Sequence, residues 1–184
     1  MISVDGDTST NDMALVLANG RAGNDPLTAD SPDAPLFEEA LAAVCTYLAK
    51  EIARDGEGAT KLVEVQVDGA PSPEAARQVA RTISTSNLVK TAIFGEDANW
   101  GRILCAAGYS GVDFDPDSAS VYIGDVCVAE RGVPTDFDEA KAKDVLRRDE
   151  VRITVDLGTG EHSATAWTCD MTYDYIKINA SYRT

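Results

Sequence analysis

Histidine occurs once in this sequence, at His162. A Ser-His-Asp relay or a histidine-built metal site therefore lacks its raw material, and His162, just after Gly160-Glu161 in a turn signal, reads as a surface residue. Cysteine is sparse as well. Cys45, Cys105, Cys127 and Cys169 lie far apart with no Cys-x-x-Cys pair, which argues against a zinc knuckle and leaves four thiols in apolar runs, expected in the core of a protein from a reducing compartment. Long apolar runs are missing too: nothing approaches the roughly 20 residues of a membrane span. No basic, apolar leader precedes the first polar loop, so a cytoplasmic location is expected. Positive charge is short, with 16 Lys and Arg against 31 Asp and Glu and a net charge of −15. Phosphate backbones and anionic membranes are poor partners for such a chain, so no nucleic acid and no membrane is expected. The same acidity fits either a generic soluble surface or, the reading favoured here, one adapted to concentrated salt, where self-repulsion is screened. Neither a Gly-x-Gly-x-x-Gly fingerprint nor a Walker loop occurs, and Gly108-Tyr109-Ser110-Gly111 lacks nucleophile-elbow spacing. No nucleotide or metal cofactor is indicated.

What is present suits a globular fold: 184 residues, 44% hydrophobic and 26% charged, enough to bury roughly two thirds of the unfolded surface. The chain opens on a polar stretch, residues 3–12, then switches abruptly to the apolar residues 13–18. Asp, Asn, Ser and Thr tie their side chains to nearby backbone, so a tight loop feeding a buried strand is expected. A Gly- and Pro-rich surface connection follows at residues 20–35. A helix comes next, entered at Asp33 and Pro35, with Phe37, Leu41, Val44, Leu48 and Ile52 along it and Asp55-Gly56 as its stop. Residues 60–67 alternate as a half-buried strand, and Ser72-Pro73 opens a second helix with Ala76, Val79, Ala80 and Ile83 on one face. Residues 88–94 read as a strand and 97–107 as a short helix. Residues 121–129 read as a strand with a Gly124-Asp125 turn, 136–148 as a helix, 151–157 as a strand, and 163–180 as one long alternating stretch. The fold class that follows is α+β, layered sheets covered by helices, with a lobe boundary between Asp68 and Ser86.

Among the motifs, Asp5-Gly6-Asp7 is not a calcium loop, because Thr10 and Val16 stand where an EF-hand needs glycine and glutamate. In Gly95-Glu96-Asp97-Ala98-Asn99-Trp100-Gly101-Arg102, Asp97 as a helix cap and Trp100 as a core residue explain the residue types without a ligand. Glu57 lies between glycines where a helix ends and a strand begins. It reads either as a solvated charge beside a helix cap or as a carboxylate that a ligand can approach closely.

Four stretches together carry a resemblance. They are Ser3-Val4-Asp5-Gly6-Asp7-Thr8-Ser9-Thr10-Asn11-Asp12, Arg54-Asp55-Gly56-Glu57-Gly58-Ala59-Thr60-Lys61, the 95–102 segment, and the terminal Ile178-Asn179-Ala180-Ser181-Tyr182-Arg183-Thr184. Nearly end to end, the chain resembles the beta chain of the ornithine acetyltransferase (ArgJ) family of arginine biosynthesis. The resemblance implies an N-terminal-nucleophile-like architecture. It also implies transfer of acetyl from N-acetylornithine to glutamate, in some members from acetyl-coenzyme A as well, through an ester on a threonine exposed by self-cleavage. The implied partner is an alpha chain, in a heterotetramer of two alpha and two beta chains. Residues 1–78 would complete the nucleophile-bearing domain and residues 79–184 would form the C-terminal lobe. Glu57, Asn179 and Thr184 match substrate-binding residues of the family, and the threonine nucleophile is expected upstream of Met1, so the chain alone is expected to be inactive. Two other readings remain open, a related self-processing aminopeptidase and a noncatalytic remnant that binds other subunits.

Overall fold

The computed structural model describes residues 1–181 and is built on one six-stranded sheet. Its strands are β1 (Leu62–Ala70), β2 (Ser120–Ile123), β3 (Val126–Glu130), β4 (Val133–Pro134), β5 (Glu150–Asp156) and β6 (His162–Cys169), in the order β4-β3-β2-β5-β1-β6. β1 and β5 are parallel and every other pairing is antiparallel, which makes the sheet mixed and the fold α+β. Beyond β6, Ile2 adds a parallel bridge to Trp167, so the start of the chain lies along the sheet edge. The parts expected at 1–78 and 79–184 share this sheet, because β1 is bonded to both β5 and β6.

Alternation along β1 sets its two faces. Val63, Val65 and Val67 are fully buried, whereas Glu64 and Gln66 point to the opposite face. Against the valine face lies helix α2 (Pro73–Thr85), whose Ser72 Oγ accepts from Ala75 N at 3.1 Å and which buries Ala76, Val79, Ala80 and Ile83. Each fully buried Val or Ile there contributes roughly 1.5–3 kcal/mol. Helices α3 (Asn87–Phe94), α4 (Trp100–Gly108) and α5 (Glu139–Leu146) extend this layer. On the other face, Glu64 receives Trp167 Nε1 at 2.8 Å, Lys50 at 3.3 Å and Arg152 at 3.5 Å. Burial alone would raise Glu64, but the Trp167 N–H and the cations outweigh it and hold its carboxyl below the usual range.

Helix α1 (Ala34–Arg54) forms where its signals lie, but its expected apolar face is not packed. Only its C-terminal end, through Ala49, Lys50, Ala53 and Arg54, meets the sheet, while Phe37, Leu41, Val44, Leu48 and Ile52 are 44% to 56% exposed. Residues 13–18 depart further from expectation. They form no strand, and Met13, Val16 and Leu17 are each more than 80% exposed. Their apolar residues fall at consecutive positions, so both sides need cover, and the described residues offer none.

Two further expectations are corrected. Residues 88–94 are helix α3 rather than a strand, because Ser86 caps it by accepting from Val89 N at 3.4 Å and because a short apolar run has no period of its own. The alternation over 163–180 holds only through β6. Thr172 Oγ1 then accepts from Tyr175 N at 3.3 Å and starts helix α6 (Tyr173–Ser181). Of the four cysteines only Cys169 is buried; Cys45 and Cys105 are exposed on helices and Cys127 is half-buried. Asn99, not Asp97, caps α4, accepting from Arg102 N at 3.1 Å, while Trp100 packs against the core as expected.

Candidate functional site

Three stretches far apart in sequence meet at one end of β6: the Asp5 loop, the turn after α1, and α6. The first is held by its own side chains, with Asp5 Oδ1 accepting from Asp7 N at 3.0 Å and Asp12 Oδ2 from Ser9 N at 3.1 Å. The second is the turn through Gly56, Glu57 and Gly58. Its glycines are required by close approach: a Cβ on Gly56 would lie 2.9 Å from Cys169 Sγ, and one on Gly58, at φ +68°, would lie 2.6 Å from Tyr175 N. The third, α6, presents Tyr175 and Asn179 one turn apart, on one face.

The contacts follow from this convergence. Asn179 Nδ2 donates to Glu57 Oε2 at 2.7 Å and to the Tyr175 carbonyl at 3.0 Å. The Tyr175 hydroxyl donates to Asp5 Oδ2 at 2.9 Å. Burial, the bond to Asp5 and the nearby charges of Asp5, Asp7 and Glu57 push the Tyr175 phenol up to about 12. The rim is therefore anionic, and a group bearing an ammonium is the natural ligand for it. Thr172 Oγ1 donates to Gly58 O at 2.7 Å, and buried Asp170 accepts from Thr60 N at 2.8 Å and Lys61 N at 3.0 Å. Both stitch the Glu57 turn to the entry of α6.

Beneath the rim lies Lys90, 2% exposed. Its ammonium donates to the Val4 carbonyl, to Thr168 Oγ1 at 3.2 Å and to Cys169 Sγ at 3.6 Å. Burial pulls Lys90 below its usual range, opposed by Cys169 and by the carboxylates of Asp5 and Asp170; burial likewise raises the Cys169 thiol.

Glu57 and Asn179, proposed from sequence, are thus brought together, whereas Thr184 lies outside the described residues. His162 is exposed at the start of β6, away from this cluster. Sequence reasoning passed over Lys90, Asp170 and Tyr175. A lysine inside the apolar run Leu88-Val89-Lys90-Thr91-Ala92-Ile93-Phe94 was the one available signal, since a lysine there must find buried acceptors. Among the described residues no three His, Cys, Asp or Glu side chains converge as metal ligands, and no helix is long and apolar enough to cross a membrane. A depression of about 660 Å³ beside Glu96, Trp100 and Lys143 lies apart from Glu57 and Asn179.

Comparison with known proteins agrees along the whole chain. The ArgJ family's sequence profile matches residues 1–184. The arginine biosynthesis bifunctional protein ArgJ of Symbiobacterium thermophilum is 61% identical over 184 residues, all of this chain and 46% of that protein. Its counterpart from Bacillus subtilis is 54% identical over 183 residues, or 45% of its length. The chain thus spans about half the length of these relatives. The crystal structure of the ArgJ protein from Bacillus halodurans superposes with a TM-score of 0.94 at 52% identity, covering 98% of this chain and 85% of that one. With its fold and its sequence matched from end to end, this chain belongs to the ArgJ family.

Proposed function

We propose that this chain is the substrate-gripping part of a glutamate N-acetyltransferase that moves acetyl from N2-acetyl-L-ornithine to L-glutamate in the cytoplasm. The observation that carries the reading is the 2.7 Å bond from Asn179 to Glu57 on a rim that also holds Asp5 and Asp7. An anionic rim of this kind suits the side-chain ammonium of ornithine, and an amide fixed against a carboxylate positions that carboxylate for it. The reacting hydroxyl belongs to a threonine in polypeptide outside these residues. Its oxygen attacks the acetyl carbonyl, the carbon–nitrogen bond breaks, and the ornithine amine leaves with a proton. The glutamate amine then takes the acetyl from the ester and restores the hydroxyl. Oxyanion donors come from the companion alpha chain, and Thr184 joins Glu57 and Asn179 at the substrate.

Two observations support an alpha-chain partner. The matched Bacillus halodurans chain is covered over 85% of its length while the curated relatives are covered over less than half, so a chain of about this size recurs as a separate unit in a solved member. The stripe on α1 and residues 13–18 also leave large apolar side chains exposed to water, the kind of surface that marks an interaction site. Assembly as two alpha and two beta chains would cover it.

Co-expression of this chain with the remaining ArgJ polypeptide, followed by an assay of acetyl transfer from acetylornithine to glutamate, tests the reading. Transfer by the complex and none by the 184-residue chain alone is the expected result. Transfer by the chain alone would overturn the division of labour. A complex that released amines from peptides and moved no acetyl would overturn the reaction.

A further inference from the structure

We propose that Lys90 is a positioning residue for this site: from below the rim it clamps the Asp5 loop, and through Asp5 and Tyr175 it fixes where α6 holds Asn179 against Glu57. This rests on the acetyltransferase reading only for the identity of the substrate; the mechanical linkage stands on geometry alone.

The linkage runs through named atoms. An ammonium has three hydrogens, and Lys90 faces three acceptors: the Val4 carbonyl, Thr168 Oγ1 and Cys169 Sγ. Two of them, Thr168 and Cys169, end β6, a strand fixed in the sheet by its pairing with β1. Val4 immediately precedes Asp5 in the loop, so the lysine ties the loop to a strand of the sheet. The next residue, Asp5, accepts from the Tyr175 hydroxyl, and Tyr175 supplies the carbonyl that Asn179 Nδ2 also contacts. The same Asn179 nitrogen reaches Glu57. From the lysine's own backbone a second strand of the linkage leaves: the Lys90 carbonyl accepts from Met171 N at 3.3 Å, at the turn that leads into α6. Lys90 thus grips both the loop and the approach to the helix.

A purely structural lysine would predict something different from a positioning one. Losing a structural group lowers the fraction of folded enzyme and leaves the Michaelis constant of the surviving molecules alone. Losing a positioning group leaves folded enzyme whose Glu57–Asn179 pair is misplaced, and that weakens substrate binding with little change in turnover.

The test uses the assembled two-chain protein carrying Lys90→Met, which keeps the length and apolar stem and removes the ammonium, or Tyr175→Phe, which removes one hydroxyl at a half-exposed position. Active sites are counted by the acetyl-enzyme burst. Each variant is expected to raise KM for acetylornithine at least tenfold with kcat per active site within threefold, and the double variant to do little more than the worse single one. Hydrogen exchange at the α6 amides, read by mass spectrometry, is expected to speed up at least tenfold in both variants while β1 is unchanged. If Lys90→Met does not fold, Tyr175→Phe decides between the outcomes. Unchanged KM together with unchanged α6 exchange overturns the proposal. A wild-type complex without acetyl transfer, in which the variants nonetheless loosen α6, overturns the acetyltransferase reading and leaves the linkage standing.

Discussion

Asn179 lies 122 residues beyond Glu57, yet its side-chain amide donates to the Glu57 carboxylate at 2.7 Å. If the pair grips one ammonium, its members act as a unit. Glu57→Gln, which keeps shape and removes charge, is expected to raise KM for acetylornithine roughly tenfold or more in the assembled enzyme, the scale of a lost charge-assisted contact. Asn179→Ala should do nearly as much, and the double variant should fall well short of the product of the two. Steady-state kinetics with active-site counting measures all three, and fully multiplicative losses would show that the residues act separately.

Gly58 is a sharper probe of the same geometry. A methyl group there would meet Tyr175 N at 2.6 Å in a backbone already at φ +68°. Gly58→Ala is therefore expected to push α6 away from the Glu57 turn, costing about 1–3 kcal/mol of stability and most of the substrate affinity. Urea denaturation and acetylornithine binding measure the two effects, and a variant with wild-type affinity would contradict the close packing.

Alkaline pH should expose Tyr175. Its phenol ionises near 12 in the folded protein against 10.0 ordinarily. Its contribution to stability is therefore fully present below about pH 10 and is lost as pH rises from there through about 12. Lys90 works in the opposite sense. Its folded value is lowered beneath 10.5, so the folded chain releases that proton first and gains stability relative to the unfolded chain as pH climbs toward 10.5. Comparing wild type with Tyr175→Phe isolates the phenol. The stability difference between them should shrink between pH 10 and 11.5, and a constant difference would remove Tyr175 from the titration.

The stripe on α1 offers a test of partnership. Leu41 and Leu48 lie on this stripe and are 44% and 53% exposed. Leu41→Asp with Leu48→Asp should leave the melting temperature of the isolated chain within a degree or two. The same pair should weaken its association with the remaining ArgJ polypeptide at least tenfold, measured by titration calorimetry. Unchanged association would move the docking surface elsewhere.

Much of the sheet was legible in the residues. β1 announced itself by alternation, β5 by the Gly158-Thr159-Gly160 stop after it, and β2 and β3 by the strand signal with a turn at Gly124-Asp125. α2 was equally plain, with its Ser72 cap and Pro73 start. Illegible were the places where a cap outvoted a pattern. Residues 88–94 look extended until Ser86 is seen to cap them, and Thr172 turns an alternating tail into α6. Glu57 and Asn179 could be named from motif resemblance, but no spacing rule joins them. Their meeting depends on Gly58 admitting α6, a tertiary fact. Lys90 hid because a buried cation is recognisable only by acceptors drawn from elsewhere in the chain, here Val4, Thr168 and Cys169.

Residues 13–18 have the composition of an interior strand and stand bare, as does the stripe along α1. Their composition describes an interior that this polypeptide does not enclose by itself. Two pieces with such faces, released separately into a crowded cell, would meet strangers before they met each other. Joined end to end when made, they would see one another at an effective concentration in the millimolar range. If the chain is one piece of a longer precursor, as proposed above, severing it after folding would be a safer route to two subunits than making them apart.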